Sequence, residues 1–176
     1  MTPNLPQTAE LDDYNCGGFA LSTFDIVTPY DDDFDEDCRT DTAIELMNRF
    51  ESTRIVEDIM AEIDAEYLLL RYPFLQRITS READLMVQNE SKYKLTVIAY
   101  RVFFKFTKVD GNFQVDDSDF HFKVYLKGQW YEKRGSGEVE KCARCALKPW
   151  RYEEDTIYTS KIIYFIDKGG KRERRY

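Results

Sequence analysis

The chain changes its hydrophobic period once. From Asp41 to about Leu70 the apolar residues Ile44, Met47, Phe50, Ile55, Ile59, Ile63 and Leu70 recur near helical spacing, with no Gly or Pro between them. The pattern predicts one long helix or two, capped by Asp41 or Thr42 and with a break near Ser52 and Thr53. Pro73 ends the run, and "TSREADLMVQ" offers a Thr79 or Ser80 cap with Glu82 behind it, the start of another short helix. A shorter apolar segment, "CGGFAL", opens at Cys16 after a polar stretch and is read as a first helix.

The second half is β-branched and aromatic. "YKLTVIAYRVFFKFTK" (93–108), "DFHFKVYLKG" (119–128), "QWYEKR" (129–134) and "SKIIYFID" (160–167) are bounded by "VDGN", Gly128 and "RGSG" and read as strands. Alternation along the second of them puts Phe120, Phe122, Val124 and Leu126 on one face and His121, Lys123 and Tyr125 on the other. Gly128 falls in a short connection that returns the chain as an antiparallel neighbour. The layout is therefore α+β, N-terminal helices packed on a C-terminal, mainly antiparallel sheet. A single domain over 1–176 is expected, with an acidic loop and helical insert over 28–92 and a β-sheet half over 93–168. The predicted core comprises Phe19, Ile44, Phe50, Ile59, Val97, Ile98, Phe103, Phe122, Val124, Trp130, Ile163 and Phe165.

Composition narrows the function classes. A chain of 176 residues buries roughly two thirds of its unfolded surface, so its core needs no metal or disulfide. Aromatic residues make up 15% of it, too many for a disordered chain. The formal charge of −8 argues against a nucleic-acid partner, which would need clustered Lys and Arg. The one dense basic run, "KGGKRERRY", reads as a solvated tail. No apolar run is long enough for a membrane span, and "MTPNLPQTAELDDYN" has neither the basic start nor the apolar stretch of a secretory signal. A cytoplasmic protein is expected.

Without an export signal, cysteines 16, 38, 142 and 145 read as reduced thiols. Cys142 and Cys145 have C-x-x-C spacing, but with one histidine in the chain a four-ligand zinc site lacks partners, so a surface loop is expected there. "TPYDDDFDEDCRTD" (28–41) carries seven acidic residues and is read as a loop; it lacks the glycine and terminal glutamate of an EF-hand. No cofactor is expected.

One constellation carries chemistry. A cysteine at a helix N-terminus meets unpaired amides and the positive end of the dipole, which favour the thiolate. Cys16 is so placed; Gly17 and Gly18 would let the backbone approach a substrate, and the Cys16 N–H could donate to a developing oxyanion. Its base can only be His121, on a strand, and the third member that orients the imidazole is first Glu132, with Asp119 and Asp117 behind it.

A cysteine on the first helix, a histidine later on a strand and a polar residue on the next strand resemble the chain order of compact papain-like cysteine hydrolases, which include the NlpC-type cell-wall peptidases and the CHAP amidases. More narrowly, "YNCGGFAL", "AYRV", "DFHF", "GQWYEKRGSG" and "YTSKIIYF" are similar to a group of uncharacterised bacterial and phage proteins with an N-C-x-x-x-A-L start, a D-[FY]-H strand and a W-x-x-K-x-G strand. The resemblance covers about half the chain and implies a papain-like fold, with Cys16 as nucleophile, His121 as base and Glu132 where the group's pattern leads one to expect histidine. It implies a hydrolase of the peptidase or amidase type acting on a peptide or protein amide. The alternative is a catalytically inactive papain-like scaffold, an acidic binding or inhibitory protein whose partner has a basic face. The oligomeric state is left open.

Overall fold

The computed structural model describes residues 14–23, 25–89, 96–135, 137–142, 149–152 and 154–168. Cys145, and with it the C-x-x-C pair, lies outside the described residues, as do the N-terminal 1–13 and the basic tail from 169 onward. The elements in chain order are α1 (Cys16–Ala20), α2 (Glu36–Phe50), α3 (Thr53–Arg71), β1 (Leu75–Ile78), α4 (Ser80–Gln88), β2 (Val97–Val109), β3 (Asn112–Leu126), β4 (Gln129–Lys133), β5 (Val139–Lys141), β6 (Trp150–Arg151), β7 (Ile157–Tyr158) and β8 (Ile163–Asp167). The fold is α+β. A six-stranded sheet in the order β1-β8-β2-β3-β4-β5 is antiparallel at every pairing, and β6 and β7 form a separate antiparallel pair.

The connections at the centre of the sheet follow from two dipeptides. Asp110-Gly111 has φ values of 51° and 84°, and Lys127-Gly128 has 47° and 82°. Two successive left-handed residues form the turn whose twist matches antiparallel strands, so β2, β3 and β4 fold back in sequence. The register then pairs Arg101 with His121 and Lys123 with Glu132.

Both faces of the sheet are covered. On one, α1, α2 and α3 bring Phe19, Met47, Val56, Met60, Ala61 and Leu68 against Ile98, Tyr100, Val102, Phe122, Val124 and Phe165. On the other, Ile78 and Ala83 and the β6–β7 pair, with Trp150 and Tyr158, cover Val97, Ala99, Phe103, Tyr125 and Tyr164. That double burial explains why β2 begins as an uninterrupted apolar run rather than an alternating one.

The helical half departs from the sequence reading in three respects. First, α2 begins at Glu36, inside the stretch expected to be loop, and its cap is Asp35 rather than Asp41 or Thr42. The Asp35 carboxylate accepts the Cys38 N–H at 2.8 Å, and Glu36 and Asp37 sit in the first turn, where negative charge stabilises a helix. Density of acid, read as loop-forming, is here a helix start. Second, the buried stripe is not the expected one: Phe50 is 39% exposed, Ile55 45% and Leu70 83%, while Ile44 and Ile59 are half-buried. The face turned to the sheet is Val56, Glu57, Met60, Ala61, Asp64, Ala65 and Leu68. Two alanines let α3 lie close to β2, and the polar groups between them are satisfied. Arg39 Nε and Nη2 donate to the two Asp64 oxygens at 3.0 and 2.8 Å, the Tyr100 hydroxyl donates to Asp64 at 2.6 Å, and Glu57 accepts the Phe104 N–H at 2.9 Å. Third, β1 was not foreseen. Its four residues show no period-2 alternation, and its place depends on pairing with β8.

The break at Ser52 and the Thr79 cap are as expected. Ser52 caps α3, and Thr79 with Glu82 forms a reciprocal capping box on α4. Phe19, Val97, Ile98, Phe103, Phe122, Val124, Trp130, Ile163 and Phe165 are all buried.

Candidate active site

Asn15 fixes the start of α1. It is the N-cap, its Oδ1 accepts the N–H groups of Gly18 and Val27 at 3.0 Å each, and its Nδ2 donates to the Val27 carbonyl at 2.7 Å. One side chain thus caps the helix and clasps the following loop to it. The two glycines serve that clasp: a Cβ on Gly18 would lie 1.9 Å from the Asp25 carbonyl oxygen, and one on Gly17 would lie 2.8 Å from Val27 Cβ and 3.0 Å from Phe122. The close approach they permit is to the protein's own loop and sheet, not to a substrate as the sequence suggested. With five residues, α1 is also too short to carry much of a macrodipole.

His121 and Glu132 meet because of register. Lys123 pairs with Glu132, and His121 is two residues from Lys123 on β3, so the imidazole and the carboxylate share a face as diagonal neighbours. His121 Nε2 donates to Glu132 Oε2 at 2.8 Å. The ladder between β3 and β4 runs from Leu126 to Lys123 and stops there. His121 therefore sits just past the end of β4, where β3 has an open edge, and Cys16, delivered by α1 from the helical face, lines the same cleft and favours the charged imidazole.

Electrostatics reinforce the array. Burial pushes the Glu132 carboxyl up, but His121 first, then Lys123 at 3.9 Å and Arg134 at 3.3 Å, outweigh it and hold the group down at about 2. Burial pulls His121 down, and its hydrogen bonds to Cys16 and Glu132 outweigh that and raise it from 6.5 to about 9. The imidazole is held as the cation at neutral pH, which is the partner a thiolate needs.

An aromatic wall fixes the ring. Tyr158 stacks on His121 with centroids 5.6 Å apart, Trp150 meets it edge-on at 6.1 Å, and Tyr152 lies at 6.3 Å. Arg134 donates to the Tyr152 and Arg151 carbonyls as well as to Glu132, tying that wall to β4. None of these four residues was foreseen. The available signal was "WRY" followed by "TIY", aromatic residues at period 2 on either side of an acidic turn.

Of the other candidates, Asp119 does not touch the imidazole. Its Oδ1 accepts the Phe120 N–H at 2.8 Å and its Oδ2 accepts the Tyr158 hydroxyl at 2.6 Å. Asp117 is exposed and pairs across the ladder with Lys105. Cys38 is exposed in the first turn of α2, and Cys142 is half-buried beside the second core cluster. Among the described residues, no three His, Cys, Asp or Glu side chains group so as to hold a metal, and no helix is long and apolar enough to cross a membrane.

The array opens onto a cleft of about 220 Å³ lined by Asn15, Cys16, Asp119, Phe120, His121, Gly135 and Tyr152. Fold and site together define a class: an antiparallel α+β protein with a thiol, an imidazole and a carboxylate in line at the open edge of its sheet. Comparison adds no family to that description, since no family model matches the chain and no curated protein or solved structure matches it.

Proposed function

We propose that the protein is a cysteine-dependent amide hydrolase of papain-like arrangement, acting on a peptide or protein amide. The observation that carries this reading is Cys16 and His121 together in the wall of one cleft, with Glu132 hydrogen-bonded to the imidazole. In the reaction, Cys16 Sγ attacks the amide carbonyl carbon while the imidazolium keeps the thiol proton. His121 then delivers that proton to the leaving nitrogen as the C–N bond breaks, leaving an acyl-thioester. The imidazole next takes a proton from water, and the hydroxide so formed releases the acid and returns the thiolate. Glu132 keeps the ring oriented and charged, and the Cys16 N–H is the nearest candidate donor to the oxyanion. Cys16 and Cys38 are free thiols, which suits a reducing compartment such as the cytoplasm.

A second reading is favoured by one observation: Cys16 is only 5% exposed. A scaffold with a buried thiol and a glutamate where histidine is expected would bind without turnover, its acidic surface suiting a partner with a basic face. Iodoacetamide labelling located by peptide mapping, from pH 4 to 10, separates the two. The hydrolase reading expects fast labelling of Cys16 with an apparent pKa well below about 8.5, slowed at neutral pH by His121→Ala. Slow labelling that the substitution leaves unchanged overturns it in favour of the scaffold.

A further inference from the structure

The cleft contains one carboxylate that the chemistry above does not use. Asp119 lies on the same strand and face as His121, two residues away, which is about 7 Å along a β-strand. Its oxygens are fixed by the Phe120 N–H and the Tyr158 hydroxyl, and neither donor carries a charge. The cations next to the cleft wall are committed elsewhere: Arg134 to Glu132 and the Tyr152 and Arg151 carbonyls, Lys133 to the Gly135 carbonyl and the face of Tyr14. Among the described residues no ion pair reaches Asp119. Tyr152 also lines the cleft, and an aromatic ring is a surface on which a cation is stabilised.

We infer that the cleft selects amides with a cationic side chain next to the scissile carbonyl, those of lysyl and arginyl peptides, and that Asp119 receives the charge. This rests on the hydrolase reading and gives it a substrate class. Asp119 lines the same cleft as Cys16, one strand repeat from His121, where the long side chain of a lysyl or arginyl peptide held at Cys16 would meet it. The net charge of −8 steers the same substrates toward the protein.

The test uses two matched probes, N-acetyl-lysyl and N-acetyl-norleucyl chloromethyl ketone, which differ in the terminal ammonium group and alkylate Cys16 through the same step. The second-order rate of Cys16 modification is expected to favour the lysyl reagent about tenfold, the factor that roughly 1.4 kcal/mol represents. Asp119→Asn is expected to bring the ratio close to one. Tyr158→Phe keeps the carboxylate and removes only the hydroxyl, and is expected to keep the preference. If Asp119 served only to hold Tyr158 against the imidazole, Asp119→Asn would slow both reagents alike and leave the ratio unchanged, or Tyr158→Phe would abolish the preference as well; either result overturns the inference while the hydrolase reading stands. If neither reagent modifies Cys16 in the wild type, the hydrolase reading fails and this inference with it.

Discussion

Two buried charge clusters sit about the same sheet, and they are built alike to different ends. Arg39, Asp64 and Tyr100 lie between the helices and β2, while Cys16, His121 and Glu132 lie at the open edge of β3. In the first, each carboxylate oxygen takes a donor, and the guanidinium also lies over the Phe104 ring at 4.9 Å. Burial pulls Arg39 down, and the Asp64 fork beside it more than reverses that, so the charge is locked in place. In the second, the carboxylate is equally well held, but the imidazole it holds shares a cleft with the Cys16 sulfur. Burial of charge is common to both. In the proposed reading, what separates a structural network from a reactive one is an atom whose partner is a cleft rather than another side chain.

The difference can be broken from the structural side first, where the effect is largest. Asp64→Ala leaves the Arg39 guanidinium buried without its partner, and removing one member of such a pair costs about 3–5 kcal/mol. Urea unfolding should show that loss, while Cys16 alkylation in the folded fraction keeps its pH dependence. A loss below about 1 kcal/mol would mean that Arg39 finds another acceptor and that the cluster does not hold α2 to α3.

Glu132→Gln tests the reactive side and should act the opposite way, modestly on stability and strongly on reactivity. A hydrogen bond to a charged group is worth about 1.5–3 kcal/mol, which bounds the stability loss. Its pH dependence has a definite sign. His121 is raised from 6.5 to about 9, so its contribution is complete below 6.5 and is lost as the pH rises through 9. Glu132 is lowered from 4.5 to about 2, so its contribution is complete above 4.5 and is lost as the pH falls through 2. The gap between wild type and Glu132→Gln should therefore be widest between pH 4.5 and 6.5 and close on either side. The alkaline limit of the imidazolium should fall with it, and a gap that is flat with pH would show that Glu132 does not hold His121 charged.

The same contrast shows what the sequence could tell. The β hairpins were legible because Asp-Gly and Lys-Gly dipeptides force two left-handed residues, and those turns set the register that brings Glu132 beside His121. Cys16 was legible as the thiol of a helix start, through the polar stretch before it and the two glycines after it, although the glycines turned out to admit the Asp25–Val27 loop. The aromatic wall of Trp150, Tyr152 and Tyr158 was not legible, because β6 and β7 are two residues each and acquire meaning only from the ring they surround. The helical stripe was misread for a related reason. Periodicity counts apolar residues, and it favoured Ile55, Ile59 and Ile63 over a face that contains Glu57 and Asp64. Those carboxylates are acceptable on the buried face only because Phe104, Arg39 and Tyr100 supply donors from other elements, information that no local window of sequence contains.

That misreading yields the smallest effect and a sharp test. Leu70 belongs to the stripe the spacing predicts, yet it is 83% exposed, while Leu68, two residues earlier, is fully buried among the core side chains. If α3 presents the Val56, Met60 and Leu68 face to the sheet, Leu70→Ser removes little apolar contact and should change the unfolding free energy by less than about 0.5 kcal/mol. Were the predicted stripe the packed one, α3 would be rotated, Asp64 would leave Arg39 and Tyr100 without their acceptor, and Leu70→Ser would cost several times as much, on the order of 2–5 kcal/mol. The two arrangements of one helix are thus told apart by a residue that touches neither charge cluster.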